Sequence, residues 1–314
     1  MDSLLFSLNA TIPIFAVIFI SYFLRRRGIL PEAFLAGADR FTFRVLLPVL
    51  LFRDIAGGRI SEQFDARFLV YCVAVTTIMF AAVWLGAELF LKERDSIGAF
   101  TQGAFRSSLA IFGIAFAQNI YGDAGLVPLM IVAVVPLFNI FSVIVLTVRA
   151  PGRAYGAGAM RMCVHGILTN PLIIGIVLGI PFAIFGIDFP PIASKTLNYF
   201  ASMATPLALV TIGGGFEGSK AIKKLRPTLV ASALKLLILP AVFLTIGYAL
   251  GFRDQALVAL LVMLGTPSTV TCYLMCKNMG GDYVLSSSII VITTAFSAVT
   301  LTAFLYILRA VGAI

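Results

Sequence analysis

Residues 97–123 read IGAFTQGAFRSSLAIFGIAFAQNIYGD, a stretch long and apolar enough to cross a bilayer but broken in its middle by Gln102, Gly103, Arg106, Ser107 and Ser108. A guanidinium in mid-span is expensive in hydrocarbon, and such a residue defaults to a functional role. A counterpart lies half a chain later, at 256–282, ALVALLVMLGTPSTVTCYLMCKNMGGD. Its middle holds Gly265, Thr266, Pro267 and Ser268, and the proline removes a backbone donor and interrupts the helix. Both stretches finish alike, Asn119-Ile120-Tyr121-Gly122-Asp123 against Asn278-Met279-Gly280-Gly281-Asp282. Aligning the two endings sets Arg106 opposite Gly265 and Ser108 opposite Pro267. Two interrupted hydrophobic segments in matching positions of two halves point to a transporter's binding site.

The rest of the chain suits that reading. Sixty per cent of the 314 residues are hydrophobic, 12% are charged, and mean hydropathy is +1.04, whereas a soluble domain carries about a quarter charged residues. The chain is an all-α polytopic membrane protein, with the lipid bilayer as its surroundings. Ten segments of roughly spanning length are expected, at 4–24, 34–56, 66–91, 98–120, 125–148, 161–184, 192–215, 227–250, 255–277 and 284–309. The N-terminal stretch lacks the basic start and small-residue cleavage site of a signal peptide, so it reads as a retained span. A linker at 150–160 separates a first set of five (1–149) from a second (161–314).

Further matches recur at nearly the same offset. Leu47-Pro48 faces Thr205-Pro206, and Arg67 faces Arg226. An odd number of spans per repeat inverts the second relative to the first. The predicted fold is therefore two inverted five-helix repeats, with broken helices 4 and 9 crossing.

The net charge of +9 does not point to nucleic acid, because the basic residues sit in short loops between spans. Thirteen Lys and Arg fall on one side of the membrane and six on the other. Arg40, Arg44, Arg106 and Lys235 lie within spans and complete the 23. The richer side is cytoplasmic, so both termini are expected outside a plasma (inner) membrane.

Arg106 offers a planar donor fork suited to a carboxylate; the competing role is to satisfy carbonyls freed by the break. Pro267, with Gly265, Thr266 and Ser268, leaves a half-helix whose N–H groups suit an anion; the bland alternative is a simple kink. Gln102, Ser107, Ser108 and Thr269 supply further hydrogen-bonding groups, although small polar residues also serve as packing glue. Gly175 and Gly179 permit close helix approach, and Gly213, Gly214 and Gly215 suit a hinge or cap. Asp123 and Asp282 are expected to cap the helices that follow. No acid stands at either break in the chain itself. Cys272 and Cys276 lie one turn apart without a His or acid beside them, so they read as packing residues rather than metal ligands. No cofactor is implied.

These features together resemble the auxin efflux carrier family, with its plant PIN and bacterial malonate-carrier members. The carrying residues are Gln102-Gly103-Ala104-Phe105-Arg106-Ser107-Ser108, Asn170-Pro171-Leu172-Ile173-Ile174-Gly175, and Thr266-Pro267-Ser268 leading to Lys277-Asn278-Met279-Gly280-Gly281-Asp282. The resemblance implies a scaffold and a transport domain alternating access at the crossing, a fold related to sodium–proton antiporters and bile-acid symporters, and weak organic acids as substrates. The family usually carries Arg-Gly-Asn where this chain has Arg106-Ser107-Ser108, so the chain departs from it at a position expected to contact substrate.

A secondary carrier of small organic anions is the leading expectation. A Na⁺- or H⁺-coupled symporter or antiporter of the same fold is the alternative. An intramembrane enzyme is remote, since no Gly-x-Ser-x-Gly, His-Glu-x-x-His or paired intramembrane aspartate occurs. A second copy of the chain is a candidate partner.

Overall fold

The computed structural model describes residues 2–58, 64–150 and 159–314, and every regular element among them is helical. The first half contains α1 (Asp2–Arg26), α2 (Glu32–Phe41), α3 (Leu47–Ala56) and α4 (Ala66–Phe90). A π-turn at Thr42–Leu46 joins α2 and α3 into one rod. The half continues with α5 (Ile97–Phe105), α6 (Leu109–Tyr121) and α7 (Val127–Val148). Next come α8 (Ala159–Thr169), α9 (Pro171–Phe185), α10 (Pro191–Gly214) and the short α11 (Gly218–Lys223). A second π-turn, Leu234–Ile238, links α12 (Leu225–Ala233) to α13 (Leu239–Ala249). The chain closes with α14 (Asp254–Gly265), α15 (Thr271–Met279) and α16 (Tyr283–Ala310). Most of the expected linker, residues 151–158, lies outside the described residues.

Among the described residues four helices are long and apolar enough to cross a membrane: α4, α7, the α12–α13 rod and α16. A fifth candidate is Arg161–Thr169 with Pro171–Phe185, bent by 63°. The halves of the broken pairs, α5 with α6 and α14 with α15, are each too short to span alone.

The helix boundaries themselves repeat. The shift that carries Arg106 onto Gly265 also carries Ala66–Phe90 onto Leu225–Ala249, and Glu32, the first residue of α2, onto Pro191, the first of α10. The local chemistry at the ends repeats too. Gly122 and Gly280 close α6 and α15 in the left-handed conformation, at φ of 82° and 78°, which a side chain would resist. Asp282 caps α16 by accepting from the Leu285 N–H at 2.9 Å. Asp123 does not cap α7: it accepts from the Gly125 N–H at 2.8 Å in a turn, and α7 starts after Leu126. The intervening Ala124, Gly125 and Leu126 put the carboxylate beyond the helix's first N–H groups.

Two groups of helices pack among themselves and meet where α1 lies closely against α16. In one, α3 lies along α9, and α10 lies against α1, α2 and α3. In the other, α4, α5 and α7 pack together, and α16 gathers α5, α12, α14 and α15. The α3–α9 contact depends on missing side chains. A Cβ on Gly175 would stand 2.4 Å from the Pro48 carbonyl oxygen, and one on Gly179 would stand 2.8 Å from that of Phe52. Gly213 similarly backs onto the Ile18 carbonyl of α1. These glycines are contact surfaces between backbones, which gives the Gly213 position a role other than a hinge.

Gly175→Ala should therefore force α3 and α9 apart and cost about 1–3 kcal/mol, the range for overpacking. Gly37→Ala, in α2 with open space around the added methyl, should be neutral or stabilise by up to about 1 kcal/mol. Thermal unfolding of the detergent-solubilised protein distinguishes the two; equal midpoints would rule out the close contact.

Candidate functional site

Both broken helices stop at a residue in extended conformation: Arg106 after α5 (ψ 150°) and Thr266 after α14 (ψ 153°). The two breaks meet directly, since the Ser108 N–H donates to the Pro267 carbonyl oxygen at 3.0 Å. The pairs run antiparallel. The Ser96 hydroxyl, on the approach to α5, donates to Asp282, which follows α15, at 2.7 Å, and Lys224, just before α12, pairs with the same carboxylate at 2.8 Å. At the opposite end Gln255, in the first turn of α14, donates to Asp123, which follows α6, at 3.2 Å. Lys224 also pairs with Glu93. Its hydrogen bond holds the Glu93 carboxyl below the ordinary range. Burial pushes the Asp282 carboxyl upward, but the Leu285 N–H and Lys224 outweigh it and hold this acid low as well.

A broken helix in an apolar surround must find partners for the carbonyls it releases. In a continuous α14 the Met263 and Leu264 carbonyls would accept from residues 267 and 268. Pro267 has no N–H, and the Ser268 N–H turns instead to the Thr293 hydroxyl at 3.2 Å. Met263 is served by the Ser107 hydroxyl from the other break. Leu264 is served by the Lys235 ammonium at 2.6 Å, and Lys235 also donates to the Ser107 oxygen. Lys235 projects from the π-turn between α12 and α13 and is 1% exposed. It meets the carbonyl end of a half-helix, where a cation is favoured. Its lone position in an apolar span was the sequence signal for this role.

Arg106 is 3% exposed. One terminal nitrogen donates to the Ser142 hydroxyl and to the Met275 sulfur, both at 2.9 Å, and the other reaches Asn139 Oδ1 at 3.3 Å. Its Nε has no hydrogen-bond partner. Among the described residues no carboxylate lies within ion-pair distance of Arg106 or Lys235. Hydrogen bonds to neutral groups return about 1.5–3 kcal/mol each when the donor is charged, while burying an unpaired charge costs several. The Arg106 guanidinium is thus compensated only by neutral partners, with its Nε left over.

A cavity of about 60 Å³ opens at this point. The first break supplies Arg106, Ser107, Ser108 and Leu109, and the second supplies Thr269, Val270 and Thr271. The first residues of α6 and α15, the positive ends of two half-helices, are thus both on its wall. The other sequence candidates stand behind this wall. Gln102 ties α5 to α15 by donating to the Cys272 carbonyl at 3.1 Å and the Cys276 sulfur at 2.8 Å. The Thr266 hydroxyl turns back to Val262 at 2.8 Å, and Gly265 packs under Leu301. Pro267 and Ser268 are engaged as described. Residues not singled out in the sequence complete the site: Asn139 on α7, Thr205 on α10, and Asp54 with three leucines on α3. No acid lies in either break, but α3 brings one to the same cavity. Asp54 belongs to a different span from Arg106, and its place in the chain gives no local sign of the meeting.

A family model described as "Membrane transport protein" matches residues 6–305. A Rhizobium meliloti protein provisionally named a malonate transporter is 23% identical over 310 residues, covering 95% of this chain and 94% of its own. An uncharacterized transporter of Methanocaldococcus jannaschii is 22% identical, covering 96% and 98%. Another, from Methanothermobacter thermautotrophicus, is 23% identical over 94% and 96%.

Ser107 bridges a released carbonyl and a buried ammonium, so Ser107→Ala should lower stability by about 1.5–3 kcal/mol. In a Lys235→Met background the same substitution should cost much less, because the charged donor has gone. A double-mutant cycle of thermal midpoints measures this coupling, and strict additivity would exclude it.

Proposed function

The chain belongs to the membrane transport protein family, and we propose that it is a secondary carrier moving small organic anions such as carboxylates by alternating access. One observation carries the reading: the buried Arg106 and two half-helix N-termini face one cavity at the crossing of the breaks, and among the described residues no carboxylate lies in ion-pair distance of Arg106. An anionic substrate satisfies such a site while it passes. The provisional name of the Rhizobium meliloti relative agrees in substrate class.

In this reading ten spans form two inverted five-helix repeats, 1–149 and 161–314, with 150–160 as a cytoplasmic linker. The repeating helix boundaries and the antiparallel broken pairs support it. Joined across their breaks, α5 with α6 and α14 with α15 reach spanning length. Arg106, Ser107, Ser108 and Thr269 face the substrate. Gln102, Gly265, Thr266, Pro267 and Ser268 hold the breaks open and in register. The group containing α3, α9 and α10 serves as the frame against which the crossing moves. The Lys and Arg bias puts both termini outside the inner membrane.

Arg106→Ala should weaken binding of labelled malonate to purified protein at least tenfold, which is about 1.4 kcal/mol. Arg106→Lys should retain part of the affinity, since it keeps the charge and loses the fork. Well-folded Arg106→Ala protein with unchanged affinity and proteoliposome uptake would remove the anion site from this crossing. Orientation has its own check. A cysteine at the exposed Val311, in a background without the native four, should react with an impermeant thiol reagent in intact cells, and one at exposed Lys223 should not. The opposite pattern would invert the topology.

A further inference from the structure

Asp54 stands on the wall of the cavity that also receives Arg106. Its Oδ1 accepts from Arg53 at 2.6 Å, but its buried Oδ2 has no partner. Arg106 Nε, equally buried, has none either. Two residues that line one small cavity therefore each carry a buried atom without a partner, a donor on Arg106 and an acceptor on Asp54. Leaving such atoms bare is costly, more so for charged groups, and a ligand that matches both would recover that cost.

The match defines a chemical class. The end at Arg106 must be an acceptor, and a carboxylate fits it best. The end at Asp54 must be a donor, because a second carboxylate would face a like charge in a low-dielectric site. We propose that Asp54 selects substrates carrying one carboxylate and one hydroxyl donor. A dicarboxylic acid then enters singly protonated, its remaining O–H donating to Asp54 Oδ2, and a short hydroxy acid enters as its monoanion. The volume agrees: one water takes about 10–15 Å³ on this scale, so about 60 Å³ admits only a few heavy atoms. The inference rests on the anion-carrier reading above and narrows it.

The charged groups around Asp54 are few. Arg53 neighbours it on α3, and Arg106 faces the same cavity. On α10 the neutral Asn198 receives Arg53 at 3.4 Å, with Lys195 and Tyr199 exposed on either side. Arg44, in the π-turn before α3, is exposed. Residues 127–148 and 171–185, which form α7 and α9, contain no titratable side chain. Asp54 is thus the one acid on this wall among the described residues.

The test is binding to purified protein, read by calorimetry, with malonate, glycolate and acetate as probes. Malonate should bind at least tenfold more weakly at about pH 8 than at about pH 5, as its second carboxyl ionises across the ordinary carboxylate range and above. Glycolate, whose donor does not titrate there, should show little change and should bind more tightly than acetate, which has no donor. Asp54→Asn is close to isosteric and turns a donor toward the cavity, so it should flatten or invert the malonate profile and favour the dianion. Asp54→Ala should erase the preference of glycolate over acetate. A wild-type malonate affinity independent of pH, or an Asp54→Asn profile parallel to the wild type, would overturn the proposal. Loss of binding in Arg106→Ala together with unaltered profiles in both Asp54 variants would sink this inference alone. Normal binding in Arg106→Ala would sink the carrier reading beneath it.

Discussion

The hydrogen bond from the Ser108 N–H to the Pro267 carbonyl is the contact on which the crossing depends. A backbone group released inside hydrocarbon has no water to turn to, and leaving it bare costs several kcal/mol. The second break is tolerated because the first break, or a side chain beside it, takes up what is released. Ser107 covers Met263, Lys235 covers Leu264, and Thr293 receives the Ser268 N–H. The two interruptions are a single structural unit built from distant parts of the chain.

That unit accumulates positive charge. Lys235 stabilises a carbonyl end, and Arg106 reaches only neutral partners on α7 and α15. Replacing either by an apolar side chain would relieve desolvation, since buried charges are weak sources of stability. The rest of the molecule supplies opposed requirements. Around Gly175, Gly179 and Gly213 backbones touch and cannot slide without opening voids. The crossing is held at its ends by polar contacts, Lys224 to Glu93 and Asp282, and Gln255 to Asp123. Polar contacts at a wet surface exchange with water at little cost, so those ends can rearrange more easily than the glycine contacts.

Membrane residence, helical class and the position of both breaks were determined by the sequence alone. Each follows from local physics: apolar length, a proline without an N–H, and small or charged residues where hydrocarbon should continue. Arg106 was legible for the same reason, because its desolvation cost arises wherever the helix packs. What only the tertiary structure decided is which groups meet. Nothing near Lys235 in the chain says that its ammonium ends on Leu264, and nothing near Asp54 says that it shares a cavity with Arg106. Gln102 and Arg106 are one helical turn apart, yet one ties helices together while the other lines the cavity. Helical periodicity places a residue on a face, but the crossing of two broken helices decides what that face touches.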